Sequence, residues 1–187
     1  MIEIRPAVPA DAHALAEAHT EGWRSGYRGV IDDAYLDAPE FRAQRLATWQ
    51  AWTWNERGHS ACFCAVLDGR TVGFGLCGPA RVEPVCDGTE ADPVAAPIGE
   101  VYAFYLHPDA WGSGCAPALM AACEDWLRGQ SFTTAVLWVL RDNPRGRAFY
   151  EKAGWQPTGK DGTFDGPATA ASLPYAIAEV EYGRSLR

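Results

Sequence analysis

The sequence predicts an α/β (α+β) fold: a mixed, mostly antiparallel sheet of about six to seven strands with a central βαβ crossover and flanking helices. Three observations carry that prediction. Two apolar runs, Ala61 to Leu67 and Thr71 to Gly78, flank Asp68-Gly69-Arg70, the pattern of a hairpin closed by a glycine-containing turn. Two further runs, Ile98 to Leu106 and Thr134 to Leu140, stand on either side of Gly114 to Arg128, where Ala116, Leu119, Met120, Cys123 and Leu127 share one helical face. No internal repeat or low-complexity segment points to another architecture.

The elements follow in order. Ile2 to Arg5 alternates as a short strand, and Pro9-Ala10-Asp11 opens a helix whose apolar residues Ala14, Leu15 and Ala18 recur at helical spacing. An aromatic-rich loop with Trp23, Tyr27 and Tyr35 is expected next, then a helix from about Pro39 to Asn55 carrying Phe41, Leu46, Trp49 and Trp52. After the hairpin, Arg81 to Pro97 mixes prolines and glycine with Glu83, Asp87, Glu90 and Asp92, which reads as an exposed excursion. Pro144 to Ala153 reads as a short helix closed by Gly154, and Tyr175 to Tyr182 as a final strand after a glycine-rich stretch.

Composition narrows the function classes. At 187 residues, 48% hydrophobic and 21% charged, the chain fits one domain spanning 1–187. No apolar run approaches the roughly 18 to 20 residues of a membrane span, and Met1-Ile2-Glu3-Ile4-Arg5-Pro6 lacks the regions of a signal peptide, so a cytoplasmic protein without a membrane partner is expected. A net charge of −8 disfavours nucleic acid as a partner and steers cationic or amine substrates. Cys62, Cys64, Cys77, Cys86, Cys115 and Cys123 form no CxxC pair and no Cys/His ligand spacing, so no metal is expected.

The most informative segment is Leu106-His107-Pro108-Asp109-Ala110-Trp111-Gly112-Ser113-Gly114-Cys115-Ala116, where a strand ends in a glycine turn that opens into a helix. The first N–H groups of a helix lack internal acceptors, the dipole adds partial positive charge, and glycines admit a phosphate close to the main chain. A Rossmann reading fits poorly, because the glycines follow a late strand, the third fingerprint glycine is missing, and Thr133 and Thr134 stand where an acid is needed. A Walker loop fails for want of Gly-Lys-Ser/Thr.

Trp111 to Ala116 resembles the pyrophosphate-binding signature of the GNAT superfamily of acyl-CoA-dependent N-acetyltransferases, Gln/Arg-x-x-Gly-x-Gly/Ala. Asn143-Pro144-Arg145-Gly146-Arg147-Ala148-Phe149-Tyr150-Glu151-Lys152-Ala153-Gly154-Trp155 is similar to that family's later Asn…Ala-x-Phe-Tyr…Gly-aromatic block. Ile4-Arg5-Pro6-Ala7, Asp11 and Trp23 to Tyr27 resemble its opening. One departure is Trp111, where the family usually has Gln or Arg.

The resemblance implies a GNAT fold, acetyl-CoA as cosubstrate without a metal, and a small-molecule amine acceptor, the protein acting as a monomer or homodimer. It implies donor binding by Leu106, Trp111, Gly112, Ser113, Gly114, Cys115, Ala116 and Asn143. The main-chain N–H of Phe104 is expected near the thioester oxygen, and Tyr150 is expected to protonate the leaving thiolate. Glu100 is the candidate general base, taken to share a strand face with Tyr102, Phe104 and Leu106 by period-two alternation. Trp23, Tyr27, the region from Trp49 to Trp54 and the final strand are expected to shape the acceptor site. Two alternatives stand beside this reading: a noncatalytic acyl-CoA-binding or regulatory module, and an acetyltransferase acting on a protein amino group.

Overall fold

The computed structural model describes residues 1–51, 60–81, 98–164 and 176–187. Its order is β1 (Ile2–Pro6), α1 (Ala12–Tyr27), α2 (Asp33–Leu36), α3 (Pro39–Gln50), β2 (Ala61–Leu67), β3 (Arg70–Pro79), β4 (Ile98–Leu106), α4 (Cys115–Gly129), β5 (Thr134–Leu140), α5 (Pro144–Lys152), β6 (Gln156–Phe164) and β7 (Ile177–Ser185). These seven strands form one sheet in the order β1-β2-β3-β4-β5-β7-β6. Among the described strands only β4 and β5 run parallel, joined by α4 as the crossover. The expected mixed sheet with a central βαβ unit is present.

Helices cover both faces because the strands alternate apolar residues to either side. On one face α1 and α3 bury Leu15, Ala16 and Trp49 against Cys64, Val66 and Phe74, and Trp23 and Phe41 against Leu140 and Ile177. On the other, α4 and α5 place Met120, Cys123, Leu127 and Tyr150 against Val101, Leu137, Val139 and Tyr182.

Two expectations are corrected. Trp23 and Tyr27 do not lie in a loop but in the last turns of α1. Gly22 lies inside that helix where α1 presses on β4: a Cβ would sit 3.2 Å from the Leu106 carbonyl oxygen. The strand β6 falls in what reads from the sequence as a glycine-rich stretch. It is a polar edge strand, with Pro157, Gly159, Lys160 and Asp161 on the sheet's open side, a composition that blunts edge-to-edge pairing and hides the strand pattern. The third helix ends at Gln50, while Trp52 to Asn55, His59, Val82 to Pro97 (with Cys86) and Tyr175 lie outside the described residues.

Candidate active site

The site begins where two parallel strands part. β4 and β5 pair only from Ile98↔Thr134 to Val101↔Leu137. Beyond that point β4 continues along β3 and β5 along β7, so Tyr102 to Leu106 and Trp138 to Leu140 diverge into a cleft of about 240 Å³. Its walls include Phe104, Leu106, Trp111, Gly112, Asn143 and Tyr150.

The β4 wall offers main-chain groups. His107 N donates to the Val72 carbonyl at 2.7 Å, which sets the alternation: Tyr105 and Ala103 bond to β3, while Phe104 and Leu106 turn their N–H and C=O toward the cleft. The Leu106 carbonyl already accepts from Trp111 Nε1 at 3.3 Å. Among the described residues the N–H groups of Phe104 and Leu106 find no acceptor, as on the edge of an unpaired strand.

At the end of β4 the glycine turn supplies a second set of donors. Gly112 and Gly114 have φ of +78° and +94°, backbone that other residues rarely adopt, and Gly114 caps α4. Trp111 N bonds to Pro108 O, Ser113 N to Ala110 O and Cys115 N to Ser113 Oγ. Gly112, Gly114 and Ala116 are left with N–H groups that find no acceptor among the described residues, at the positive end of a 15-residue helix. Ser113 and Cys115 thus shape the turn, and the Cys115 thiol is fully buried.

From the opposite wall, Asn143, which lines the cleft, caps α5 by accepting from Gly146 N at 2.9 Å, and its side-chain amide N–H has no acceptor among the described residues. Tyr150 is nearly buried beside it, and burial pushes its hydroxyl's pKa upward, keeping it protonated. Phe149 stacks on Phe104 with centroids 5.6 Å apart, which joins α5 to the β4 edge. Trp111, out of pattern in the sequence, carries Arg145 on its ring at 3.5 Å from the centroid. A guanidinium from α5 therefore stands beside the turn's first position.

Glu100 does not share the face of Phe104 and Leu106. The register runs Leu76↔Ala103 and then Cys77↔Val101, so Tyr102 is a β-bulge that reverses the alternation. Val101 and Gly99 point to α4, where Gly99 meets Leu127, and Glu100 turns to the α1 face. There it is 2% exposed and held by Arg81, whose main-chain N lies 2.8 Å from Oε2 and whose Nε lies 3.1 Å from Oε1.

Tyr27 lines the cleft and its hydroxyl is 3.4 Å from that of Tyr105. Trp23 does not line it. The ring is 3% exposed and packs behind Tyr27, 5.0 Å between centroids, among Ile31, Leu36, Phe41 and Ile177, so a substrate contact there is excluded by its own neighbours. His19 is likewise core, enclosed by Trp23, Trp49, Phe74 and Tyr105.

Sequence reasoning missed Arg81, Trp138, Arg145 and Glu179. Burial raises the Glu179 carboxyl to about 7, against the pull of Arg81 and with a push from Glu100. The residue's only sequence signal is its place in the alternating Ala178-Glu179-Val180-Glu181-Tyr182 of a half-buried strand.

Comparison with known proteins agrees with this geometry. The model described as Acetyltransferase (GNAT) family matches residues 20–155. The chain is 28% identical over 145 residues to the N-acetyltransferase YuaI of Bacillus subtilis, covering 77% of this chain and 75% of the relative. It is 34% identical over 126 residues to an aminoglycoside N(6')-acetyltransferase type 1 of Stenotrophomonas maltophilia, 67% of each chain. The PaiA N-acetyltransferase of Thermoplasma acidophilum, solved in complex with coenzyme A, shares the fold with a TM-score of 0.66 at 18% identity over 99% of each chain.

Proposed function

This chain belongs to the GNAT family of acyl-CoA-dependent N-acetyltransferases, and we propose that it moves the acetyl group of acetyl-CoA onto the amino group of a small cationic amine. The observation that carries the donor assignment is the pairing of two unsatisfied main-chain donor sets on one cleft. The N–H groups of Gly112, Gly114 and Ala116 suit a pyrophosphate, and those of Leu106 and Phe104 suit the amide-bearing arm that leads from it. Arg145 on Trp111 adds charge at the phosphate end.

The donor supplies an activated thioester, and the chain supplies groups placed for its transfer. The Phe104 N–H stabilises the negative charge that grows on the thioester oxygen, and the hydroxyl of Tyr150, kept protonated by burial, gives its proton to the departing sulfur. The stack of Phe149 on Phe104 excludes water between them. An acidic side chain on the α1 face receives the ammonium's proton.

A cationic acceptor is supported by the net charge of −8 and by the carboxylates of Glu100 and Glu179 on the α1 face, with Tyr27 and Trp138 beside the cleft. The name of the Stenotrophomonas relative adds a multiply charged amine as a precedent. Calorimetry with CoA and thioester consumption against spermidine, kanamycin and a lysine-bearing peptide test the reading. Binding of CoA with turnover of either small polyamine supports it. Turnover of the peptide alone moves the acceptor to a protein amino group, and CoA binding without any turnover leaves a binding module.

A further inference from the structure

Four acidic side chains are buried in the described part of the protein, and each has its partner. Asp11 accepts two bonds from Arg5, at 2.7 Å each, and one from Val8 N. Glu124 accepts from Trp155 Nε1 at 3.1 Å and faces Arg184 and Arg128. Glu181 accepts from Thr158 at 2.8 Å and faces Lys160, and Glu100 is held by Arg81. Burying a carboxylate costs free energy that these bonds offset. Glu179 is half-buried and its carboxylate has no hydrogen-bond partner among the described residues.

Its position is as telling as the lack of a hydrogen-bond partner among the described residues. On β7, Val180 and Tyr182 pack toward α4 and α5, whereas Ile177 packs with Trp23 and Phe41 under α1. Glu179 has the parity of Ile177 and so shares the α1 face with Glu100. The two differ along the strands. Glu100 pairs with Val136, in the stretch where β4 and β5 are still hydrogen-bonded, while Glu179 lies opposite Leu140, where the strands have parted. It is close enough to Tyr27 to act on that hydroxyl electrostatically, and Tyr27 lines the cleft with Tyr150.

We infer that Glu179, and not Glu100, is the general base that takes the proton from the acceptor's ammonium, with Arg81 and Glu100 as a fixed ion pair that positions it. This rests on the acetyl transfer proposed above. Glu179 removes one ammonium proton; the freed nitrogen lone pair forms the N–C bond as the C–S bond breaks. Tyr150 gives its proton to the thiolate sulfur, the acylated nitrogen sheds its excess proton to solvent and keeps one as the amide N–H, and Glu179 releases its proton to solvent, from which Tyr150 is restored.

The charges around Glu179 favour that role. Tyr27 faces it from α1, Arg81 from the end of β3 and Glu100 from β4. On the neighbouring strands Glu181 is taken up by Thr158 and Lys160, and Arg141 by Asp161. Burial and the Glu100 charge raise its carboxyl to about 7, Arg81 keeps it from rising further, and so the group gains and loses a proton near neutrality.

The test compares the full-length protein with Glu179→Gln and Glu100→Gln, using acetyl-CoA with spermidine or kanamycin, and separately with hydroxylamine, which is already unprotonated at neutral pH. The expected result is a fall of about a hundredfold in kcat for Glu179→Gln with the ammonium acceptor, and less than about threefold with hydroxylamine. The wild-type kcat/KM should decline below about pH 7, and that acid limb should vanish in Glu179→Gln and persist in Glu100→Gln. Melting temperature and CoA affinity, measured alongside, should match the wild type in Glu179→Gln. Retention of the acid limb in Glu179→Gln, or its loss only in Glu100→Gln, overturns the inference, as does equal loss with both nucleophiles. Failure of wild-type protein to bind CoA would instead remove the acetyl-transfer reading beneath it.

Discussion

The two sides of the cleft are built by different means. One side, formed by the β4 edge, the Gly112–Ala116 turn and the N-terminus of α5, the side proposed to hold the donor, presents main-chain N–H groups held by glycine φ angles and a helix end. The other side, formed by α1 and the outward-facing part of β4, presents side chains: Tyr27 and Tyr105 line the cleft, and Glu100 with Arg81, and Glu179 on β7, stand on the same face of the sheet. Main-chain sites are fixed by local sequence and tolerate substitution of neighbours. Side-chain sites depend on register across strands far apart in sequence, so a single bulge or an arginine at a strand end decides which group is available.

The sharpest separation of the two sides comes from Tyr150, for which the proposed role is chemical and not one of donor binding. In Tyr150→Phe the ring still packs with Phe149 and Tyr182, and only the hydroxyl is lost. Steady-state kinetics should show kcat reduced about a hundredfold or more, with KM for acetyl-CoA within about threefold of wild type. A large rise in that KM with kcat unchanged would mean that Tyr150 serves donor binding alone.

The next effect is on stability and belongs to the side-chain wall, whose long helix α1 is seated by Asp11. That carboxylate receives Arg5, Val8 N and Thr71, and the Arg5 guanidinium draws it down from 3.8 to about 2. A depressed folded-state value stabilises the protein above the unfolded value near 4, and the contribution disappears as pH falls from about 4 through 2. Asp11→Asn should cost on the order of 2 kcal/mol at pH 7, discounted for the partly exposed Arg5, and flatten the acid limb of the stability curve in that window. Urea titrations at pH 7 and pH 3 measure both.

The same division explains what could be read from the sequence. Gly112, Gly114, Asn143 and Tyr150 sit in contiguous motifs whose backbone demands are local, and their places in the structure match those motifs. The facing of Glu100 could not be read, because period-two counting fails when Tyr102 bulges out of the ladder, and nothing in Glu100 to Leu106 announces the bulge. The loop expected at Trp23 and Tyr27 is instead the end of α1, and the helix-weakening Gly22 within it serves a close approach to Leu106. The edge strand β6 was hidden by the polar and glycine residues that keep it from pairing further, and one of these, Gly162, leaves room for the Trp138 ring, which a Cβ would approach to 2.8 Å. Glu179 carries no motif: what singles it out is that its carboxylate finds no hydrogen-bond partner among the described residues, which is a property of three dimensions.

The glycine turn itself can be weakened without touching any side chain that faces the acceptor. Gly114→Ala forces an L-residue to φ +94° and sets its Cβ about 3.3 Å from Ile2. The left-handed backbone costs about 1–2 kcal/mol, so CoA affinity by calorimetry should fall roughly tenfold if the turn relaxes away from its anion-binding shape. Unchanged affinity with lower stability would show that the turn holds its shape and that the strain is borne by the fold.

The smallest effect concerns Trp111, where the donor side departs from pure main-chain design. Its ring holds the Arg145 guanidinium at 3.5 Å and its indole N–H binds the Leu106 carbonyl, so one side chain ties α5, the turn and the β4 edge together. A cation over tryptophan contributes about 0.5–1 kcal/mol where water has access, which converts to only a few-fold in affinity. Trp111→Ala should therefore weaken CoA binding about two- to fivefold, and the loss should shrink at high salt, where the phosphate attraction of Arg145 is screened. Trp111→Gln, which places at the turn the residue the family usually has there, is expected to recover part of that loss through a direct side-chain contact. If both variants bind as tightly as wild type at low salt, Arg145 does not reach the phosphates and the turn acts through Gly112, Gly114 and Ala116 alone.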